Sequence, residues 1–327
     1  MLSLMQRKKI WFTISAILLI PGIASLIAWQ LKPGIDFKGG SSTEYSTERV
    51  GERSAVMEIL KTAYSANGIS HIQIQTNQVG ESDLRLYVKS ESISDEKHRD
   101  IVRRLGEGQP VIKELSFETI DPQVGAEATR RAMWAIGLAS LAIIVYIAIS
   151  FRGVPKPTSS WQFGIIAVLA LLHDVLFILG FYSIMGRFLG WEVNSEFVTA
   201  ALTVMGFSVH DTIVVFDRLR ENLKRHPGNT FAQVADMSVT QTMTRSINTS
   251  LTVVLVLLAI ALLGSETIRP FTITLLVGIV VGTYSSIFVA TPLLDWWQSR
   301  PRRKSTSTRS SAWRHSAKTR ATRKTNA

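Results

Sequence analysis

The stretch Thr199–Glu221, TAALTVMGFSVHDTIVVFDRLRE, is an apolar helix candidate with an acid, Asp211, where a membrane helix ordinarily has none. Apolar runs flank it, Val198 to Phe207 before and Ile213 to Phe216 after, and Asp217, Arg218, Arg220 and Glu221 end it. The acid is therefore deep and the ending faces water. An ionisable group in hydrocarbon costs about 2.5–3.5 kcal/mol on insertion scales, so Asp211 marks a functional position whose partner has to be found. A structural Asp satisfied by an Arg is the plainer alternative.

Outward from this stretch, the 327-residue chain is 46% hydrophobic. Several of its runs reach the roughly 18–20 apolar residues that span a bilayer. The expected fold is a membrane bundle of six transmembrane helices with one small α+β ferredoxin-like extracytoplasmic domain. The spans are read at Ile10–Leu31, Ala132–Ser150, Phe163–Met185, Phe197–Phe216, Thr244–Leu263 and Phe271–Leu294. The first follows Arg7, Lys8 and Lys9 like a signal peptide, but it is too long for a signal h-region, and Leu31-Lys32-Pro33 is not a small-residue cleavage site. It is read as retained, with both termini cytoplasmic by the positive-inside rule. The organisation is then 1–31, N-terminus and first span; 32–130, outer domain; 131–296, remaining spans with a cytoplasmic segment 217–243; and 297–327, a basic cytoplasmic tail.

The formal charge of +11 suggests nucleic acid until it is located. No acid follows Asp295, whereas ten Lys and Arg residues lie between Arg300 and Lys324, so a DNA partner is not expected. This tail lacks the apolar residues to offset ordering entropy and is read as disordered. Basic residues near an anionic leaflet contribute about 1 kcal/mol each, which leaves lipid or ribosome binding open beside a purely orienting role. The absence of cysteine removes disulfide frameworks and Cys-ligated metals.

After the first span, Gly34-Ile35-Asp36-Phe37-Lys38-Gly39-Gly40 carries three glycines. It lacks the strand-to-helix context and GKS/GKT ending of a phosphate loop and reads as a flexible or tightly turned connector, with Gly34, Gly39 and Gly40 as hinge candidates. From Ser41 the patterns run strand (41–46), helix (54–63), strand (71–76), strand (83–88), helix from 94 or 95, and strand (111–120), the βαββαβ order of the ferredoxin-like split. Gly80-Glu81-Ser82 is the turn between the middle strands, and Gly106 and Gly108 stop the second helix. Between Lys32 and Glu127 there are twelve Lys/Arg and sixteen Asp/Glu, the mild acidity expected of a translocated domain. His71 and His98 lie in different elements without ligand spacing, and no metal or cofactor is expected.

Within the spans, Ser208, Asp211 and Thr212 share a helix face, whereas His210 is displaced by about 100°. Arg245 opens the fifth span, with Thr249 and Thr252 continuing a hydrophilic stripe. Antiparallel neighbours bring Arg245 toward Asp211, although a span-terminal Arg also snorkels to headgroups. His173-Asp174 in the third span forms a second intramembrane pair, open to proton handling or to helix–helix hydrogen bonding. Gly278 and Gly282 permit close helix approach. No Ser-His-Asp, HExxH or P-loop pattern supports a hydrolase or ATPase.

GIDFKGG after the first span, His173-Asp174, GFSVHDTIVVFDRLREN from Gly206, VTQTMTRSINTS from Val239 and GTYSSIFVA from Gly282 resemble the SecF side of the SecD/SecF family of the bacterial Sec translocase. Their order covers nearly all of Ile10 to Leu294, and the basic tail lies outside it. The sequence departs from the family at His210, where many members carry Asn. The resemblance implies a non-enzymatic, six-span half of an RND-type assembly in the bacterial inner membrane, or a thylakoid membrane. It implies pairing with SecD and association with SecYEG, with YidC as a further candidate, and use of the proton-motive force to help move a preprotein. On that resemblance Asp211 corresponds to the proton-carrying acid and Arg245 to the basic residue that regulates it. Competing functions are an RND-type small-molecule exporter half and a passive scaffold of SecYEG.

Overall fold

The computed structural model describes residues 3–48, 53–79, 83–107, 111–153 and 158–299. The expected turn at Gly80-Glu81-Ser82, the stop at Gly108 and the basic tail from Arg300 lie outside the described residues. The chain begins with a single 3-10 turn (Met5–Arg7) and α1 (Lys8–Trp29), followed by a one-turn helix α2 (Ile35–Lys38). An α+β unit comes next: β1 (Gly40–Thr47), α3 (Arg53–Ala66), β2 (Gln73–Val79), β3 (Asp83–Ser90), α4 (Asp95–Glu107) and β4 (Lys113–Ile120). Then come α5 (Pro122–Ser150), α6 (Ser160–Phe188), α7 (Ser195–Arg225), α8 (Phe231–Leu263), α9 (Arg269–Ser285), a π-helical segment (Ser286–Ala290) and α10 (Thr291–Ser299).

The four strands form one antiparallel sheet in the order β2-β3-β1-β4. Alternation decides its faces. Tyr45, Leu84, Leu86 and Val88 point to one side and bury against Val56, Leu60 and Tyr64 of α3 and Ile101 and Leu105 of α4. Each fully buried aliphatic side chain there contributes about 1.5–3 kcal/mol. Tyr45 and Tyr64 hydrogen-bond each other at 3.0 Å, and burial pushes both phenols above their ordinary pKa. The opposite face is polar: Glu44 accepts from Arg85 at 2.9 Å and from Tyr87 at 3.1 Å. On that face Lys89 pairs with Glu192 of the α6–α7 connection at 2.9 Å, which seats the sheet on the bundle.

Among the described residues, six helical segments are long and apolar enough to cross a membrane, the sixth made of α9, the π segment and α10. Their ends are set by capping groups rather than by apolar content. Ser159 and Gln162 cap α6 reciprocally, Thr230 and Gln233 cap α8, and Asn194 caps α7. The hydrophilic segment 217–243 folds as the extended ends of α7 and α8. Ion pairs Arg220–Asp217 (2.7 Å), Arg218–Glu221 (2.5 Å) and Arg225–Glu221 (2.6 Å) favour helix, and the chain turns only at 226–230.

Apolar burial drives helices together weakly in lipid, so close backbone approach decides the packing. A Cβ on Gly180 of α6 would lie 2.5 Å from the Gly22 Cα of α1, so the two backbones meet there. Ser25 donates to Ser183 at 2.8 Å, and Ser183 donates to the Gln30 carbonyl at 2.8 Å. At the end remote from the sheet, Phe151, Phe163 and Phe216 cluster with centroids 5.1–5.7 Å apart. There the Met5 N–H donates to Asp236 at 3.0 Å, and Lys8 pairs with the buried Asp295 at 2.8 Å. α5 and α8 instead present apolar side chains outward, among them Trp134, Leu138, Leu251 and Leu255.

Candidate functional site

The glycine-rich connector is tightly turned. Gly39 (φ 76°) and Gly40 (φ 132°) adopt angles that L side chains avoid, and a Cβ on Gly39 would strike the Pro122 backbone at 2.6 Å. Gly34 donates to the Val193 carbonyl at 2.7 Å, and Val193 donates to that of Lys32 at 2.7 Å. Asp36, which sequence reasoning passed over, accepts the Ser195 N–H at 2.8 Å at the first turn of α7. The helix that carries Asp211 is thus strapped at its first turn to the connector that opens into β1.

Asp211 is 8% exposed. One carboxyl oxygen accepts from Ser246 of α8 at 2.6 Å, and the other has no hydrogen-bond partner. The expected contact with Arg245 is absent among the described residues: Arg245 is exposed, as is Thr249, because the residue that faces α7 is the next one along. One position is about 100° around a helix, enough to put Arg245 outside the α7–α8 seam and Ser246 within it. His210 is exposed, as its displacement suggested. The Ser208–Asp211–Thr212 face serves three neighbours: Ser208 donates to Asp174 at 2.5 Å, Asp211 meets Ser246, and Thr212 bonds Ser286 at 2.8 Å.

Asp174 is the most enclosed acid of the bundle, 1% exposed. Its Oδ2 accepts from Ser208 and from Ser285 (2.6 Å), and its Oδ1 is 2.8 Å from His173 Nδ1. The other ring nitrogen of His173 contacts the Ser15 hydroxyl of α1. Gly282 admits α9 here: a Cβ on it would lie 3.2 Å from Ser208 Cβ and 3.7 Å from the Asp174 carboxylate. Gly278, one turn away, meets Val204, where a Cβ would approach to 2.4 Å. The π-helical segment starts at Ser286, directly after this contact, and such segments often mark functional positions in helices.

The fold therefore brings Ser15, His173 and Asp174 into Ser-His-Asp order, a constellation not visible in the sequence because Ser15 lies 158 residues from His173. Ser15 is 6% exposed in the α1–α6 seam, so the arrangement holds a hydrogen-bond chain rather than an open nucleophile. Ser246 was also missed, and Ser285-Ser286, which follow Gly282, read from sequence only as close helix packing. The signal for Ser246 is small hydroxyl residues inside an apolar helix, Ser246 and Ser250 four apart on one face. Two buried carboxyl groups in a membrane bundle, each held by hydroxyls, can take up and release protons; nothing in their surroundings forms a phosphate cradle or an oxyanion hole.

The family described as "Protein export membrane protein SecD/SecF, C-terminal" matches residues 101–300. A protein translocase subunit SecF from Thermobaculum terrenum is 40% identical over 308 residues, covering 92% of this chain and 95% of that protein. SecDF of Bacillus subtilis is 32% identical over 314 residues, 91% of this chain but 38% of the longer relative. The crystal structure of SecDF from Thermus thermophilus, a translocon-associated membrane protein, superposes with a TM-score of 0.74 at 31% identity. It covers 90% of this chain and 38% of that one.

Proposed function

The chain belongs to the SecD/SecF family of protein export membrane proteins, and from that premise we propose that it is the SecF-like half of a Sec translocase accessory complex driven by the proton-motive force. The observation that carries this reading is Asp211: a carboxyl group mid-helix in an apolar span, with one oxygen held by Ser246 and the other unpartnered. A half-satisfied carboxyl inside a bundle is poised to bind a proton. The partner half is a SecD chain, as in the fused SecDF relatives. The face it covers is the exposed small and polar stripe Thr199, Thr203, Gly206 and His210 on α7, with Arg245 and Thr249 beside it on α8.

In this reading the α+β unit, taken as ferredoxin-like, lies outside the membrane, and both chain ends lie in the cytoplasm of a bacterial inner membrane. Protonated Asp211 rests on Ser246. Loss of the proton creates a buried charge that draws Arg245 into the seam by a rotation of α8 against α7. One proton crossing 100 mV delivers about 2.3 kcal/mol. That biases a two-state element by about fiftyfold. The strap from α7 through Asp36 to Gly40 and β1 carries the movement to the outer unit, which acts on the preprotein emerging from SecYEG, with YidC as an accessory neighbour. Lipid or ribosome contact by the basic tail adds an anchor.

The test is co-purification with SecD and SecYEG, followed by export assays of Asp211→Asn and Arg245→Ala in cells. The proposal expects assembled complexes with defective export for both variants. Drug sensitivity without an export defect would favour a small-molecule exporter, and unchanged export in both variants would leave only a scaffold.

A further inference from the structure

Asp174 is a different kind of site from Asp211. Four helices supply its surroundings: His173 from its own α6, Ser208 from α7, Ser285 from α9 and, through the imidazole, Ser15 from α1. Both hydroxyls donate to the same carboxyl oxygen, at 2.5 and 2.6 Å. The basic group in contact is His173, at 2.8 Å on the other oxygen.

Within about one turn of these contacts the packed elements carry few other titratable groups. α1 has none between Ile10 and Trp29. α7 carries Asp211 three residues beyond Ser208, and the exposed His210. On α9, the Tyr284 hydroxyl donates to the Trp11 carbonyl at 3.0 Å. On α5, Tyr146 is exposed. At the end remote from the sheet, Asp295 of α10 is neutralised by Lys8.

A buried carboxylate at this depth persists only with its charge balanced. The balance at hand is one proton shared by two residues: imidazolium beside carboxylate, or imidazole beside carboxylic acid. We propose that His173 and Asp174 form a second proton-binding site, separate from Asp211, with Ser15 as the hydroxyl that positions the far ring nitrogen. The proton moves between His173 Nδ1 and Asp174 Oδ1 along their hydrogen bond, and the pair's total charge does not change. When the proton sits on Asp174, the two serine hydrogen bonds lose their charge-assisted strength. Ser285 already has a second acceptor, the Gly282 carbonyl at 3.1 Å. The α6–α7–α9 contact then loosens at Ser208, which shares α7 with Asp211, beside the π segment that follows α9. The site's use as a coupling device rests on the proposed function above; its existence as a proton site does not.

The experiment is spectroscopic and uses the full chain in lipid nanodiscs. Histidine-selective 15N NMR, with His173→Gln to assign the signal, reads the ring; infrared difference spectra against Asp174→Asn read the carboxyl. At neutral pH the proposal expects either an imidazolium at His173 that becomes neutral in Asp174→Asn, or a carboxylic-acid C=O band that Asp174→Asn removes. Ser15→Ala, which leaves the carboxylate and its serines in place, is expected to shift the His173 ring signals. A neutral His173 with no acid band from Asp174 means that the pair holds no proton, and overturns the inference. Gradient-driven export separates the two proposals. If Asp211→Asn exports normally, the proposed function fails while the spectra still decide this site. If the spectra fail while Asp211→Asn is defective, only this site is lost.

Discussion

Gly180→Ala puts the α1–α6 crossing under direct strain. The new Cβ would sit 2.5, 2.7 and 3.0 Å from the Cα, C and O of Gly22, all backbone atoms that cannot rotate aside. Restoring ordinary contact requires the helices to part by about 1 Å. That shift stretches the Ser25–Ser183 and Ser183–Gln30 hydrogen bonds, both 2.8 Å, beyond useful range. Overpacking costs about 1–3 kcal/mol. Two interhelical hydrogen bonds in a membrane add about 0.6 kcal/mol each. The Gly-to-Ala gain in helix propensity returns about 1 kcal/mol. The net expectation is destabilisation by about 1–3 kcal/mol, read as the equilibrium unfolding midpoint of the full chain in mixed micelles. Gly137→Ala in α5 is the control, because nothing lies within 4 Å of its added Cβ. It should be neutral or more stable. Equal stability of the two variants would refute the close-crossing argument.

Asp36→Ala removes the acceptor of the Ser195 N–H. With a loss of about 1 kcal/mol of N-terminal stabilisation, amides in the first turn of α7 should exchange hydrogen about fivefold faster. Lys8→Ala strands the buried Asp295 carboxylate and should cost about 2 kcal/mol in the same unfolding assay. Adding Asp295→Asn should recover part of that loss, and additive losses would argue against the pair. In the α+β unit, hydrogen bonds from Arg104 first, then Asn67, hold the Asp100 carboxyl down at about 2. Because the folded pKa is depressed, this stabilisation is present above the ordinary Asp value of about 4 and disappears as pH falls toward about 2. The NMR titration midpoint of Asp100 should rise in Arg104→Ala, and an unchanged midpoint would remove Arg104 as the cause.

Much of this architecture is readable from local pattern. Alternation in Asp83–Val88 and the helical period of Val56, Met57, Ile59 and Leu60 announce elements that the structure contains, and the six apolar runs mark six long helices. What the pattern does not carry is which faces meet. Gly22 and Gly180 look like any glycines until α1 lies on α6, and Ser15 finds His173 for the same reason. The expected Asp211–Arg245 contact misses by a single residue, because charge complementarity selects the Arg whereas helix phase selects Ser246. Apolar runs likewise understate helix length, since α7 continues to Arg225 on ion pairs that hydropathy counts as loop.

Proton flux through the assembled complex bears most directly on the role given to Asp211. Proteoliposomes holding this chain, a SecD partner and SecYEG, with a pH-sensitive dye inside, would be followed during gradient-driven preprotein translocation. The account predicts preprotein-dependent proton exit from the lumen that vanishes in Asp211→Asn while the complex stays assembled. Undiminished exit with Asp211→Asn would contradict it.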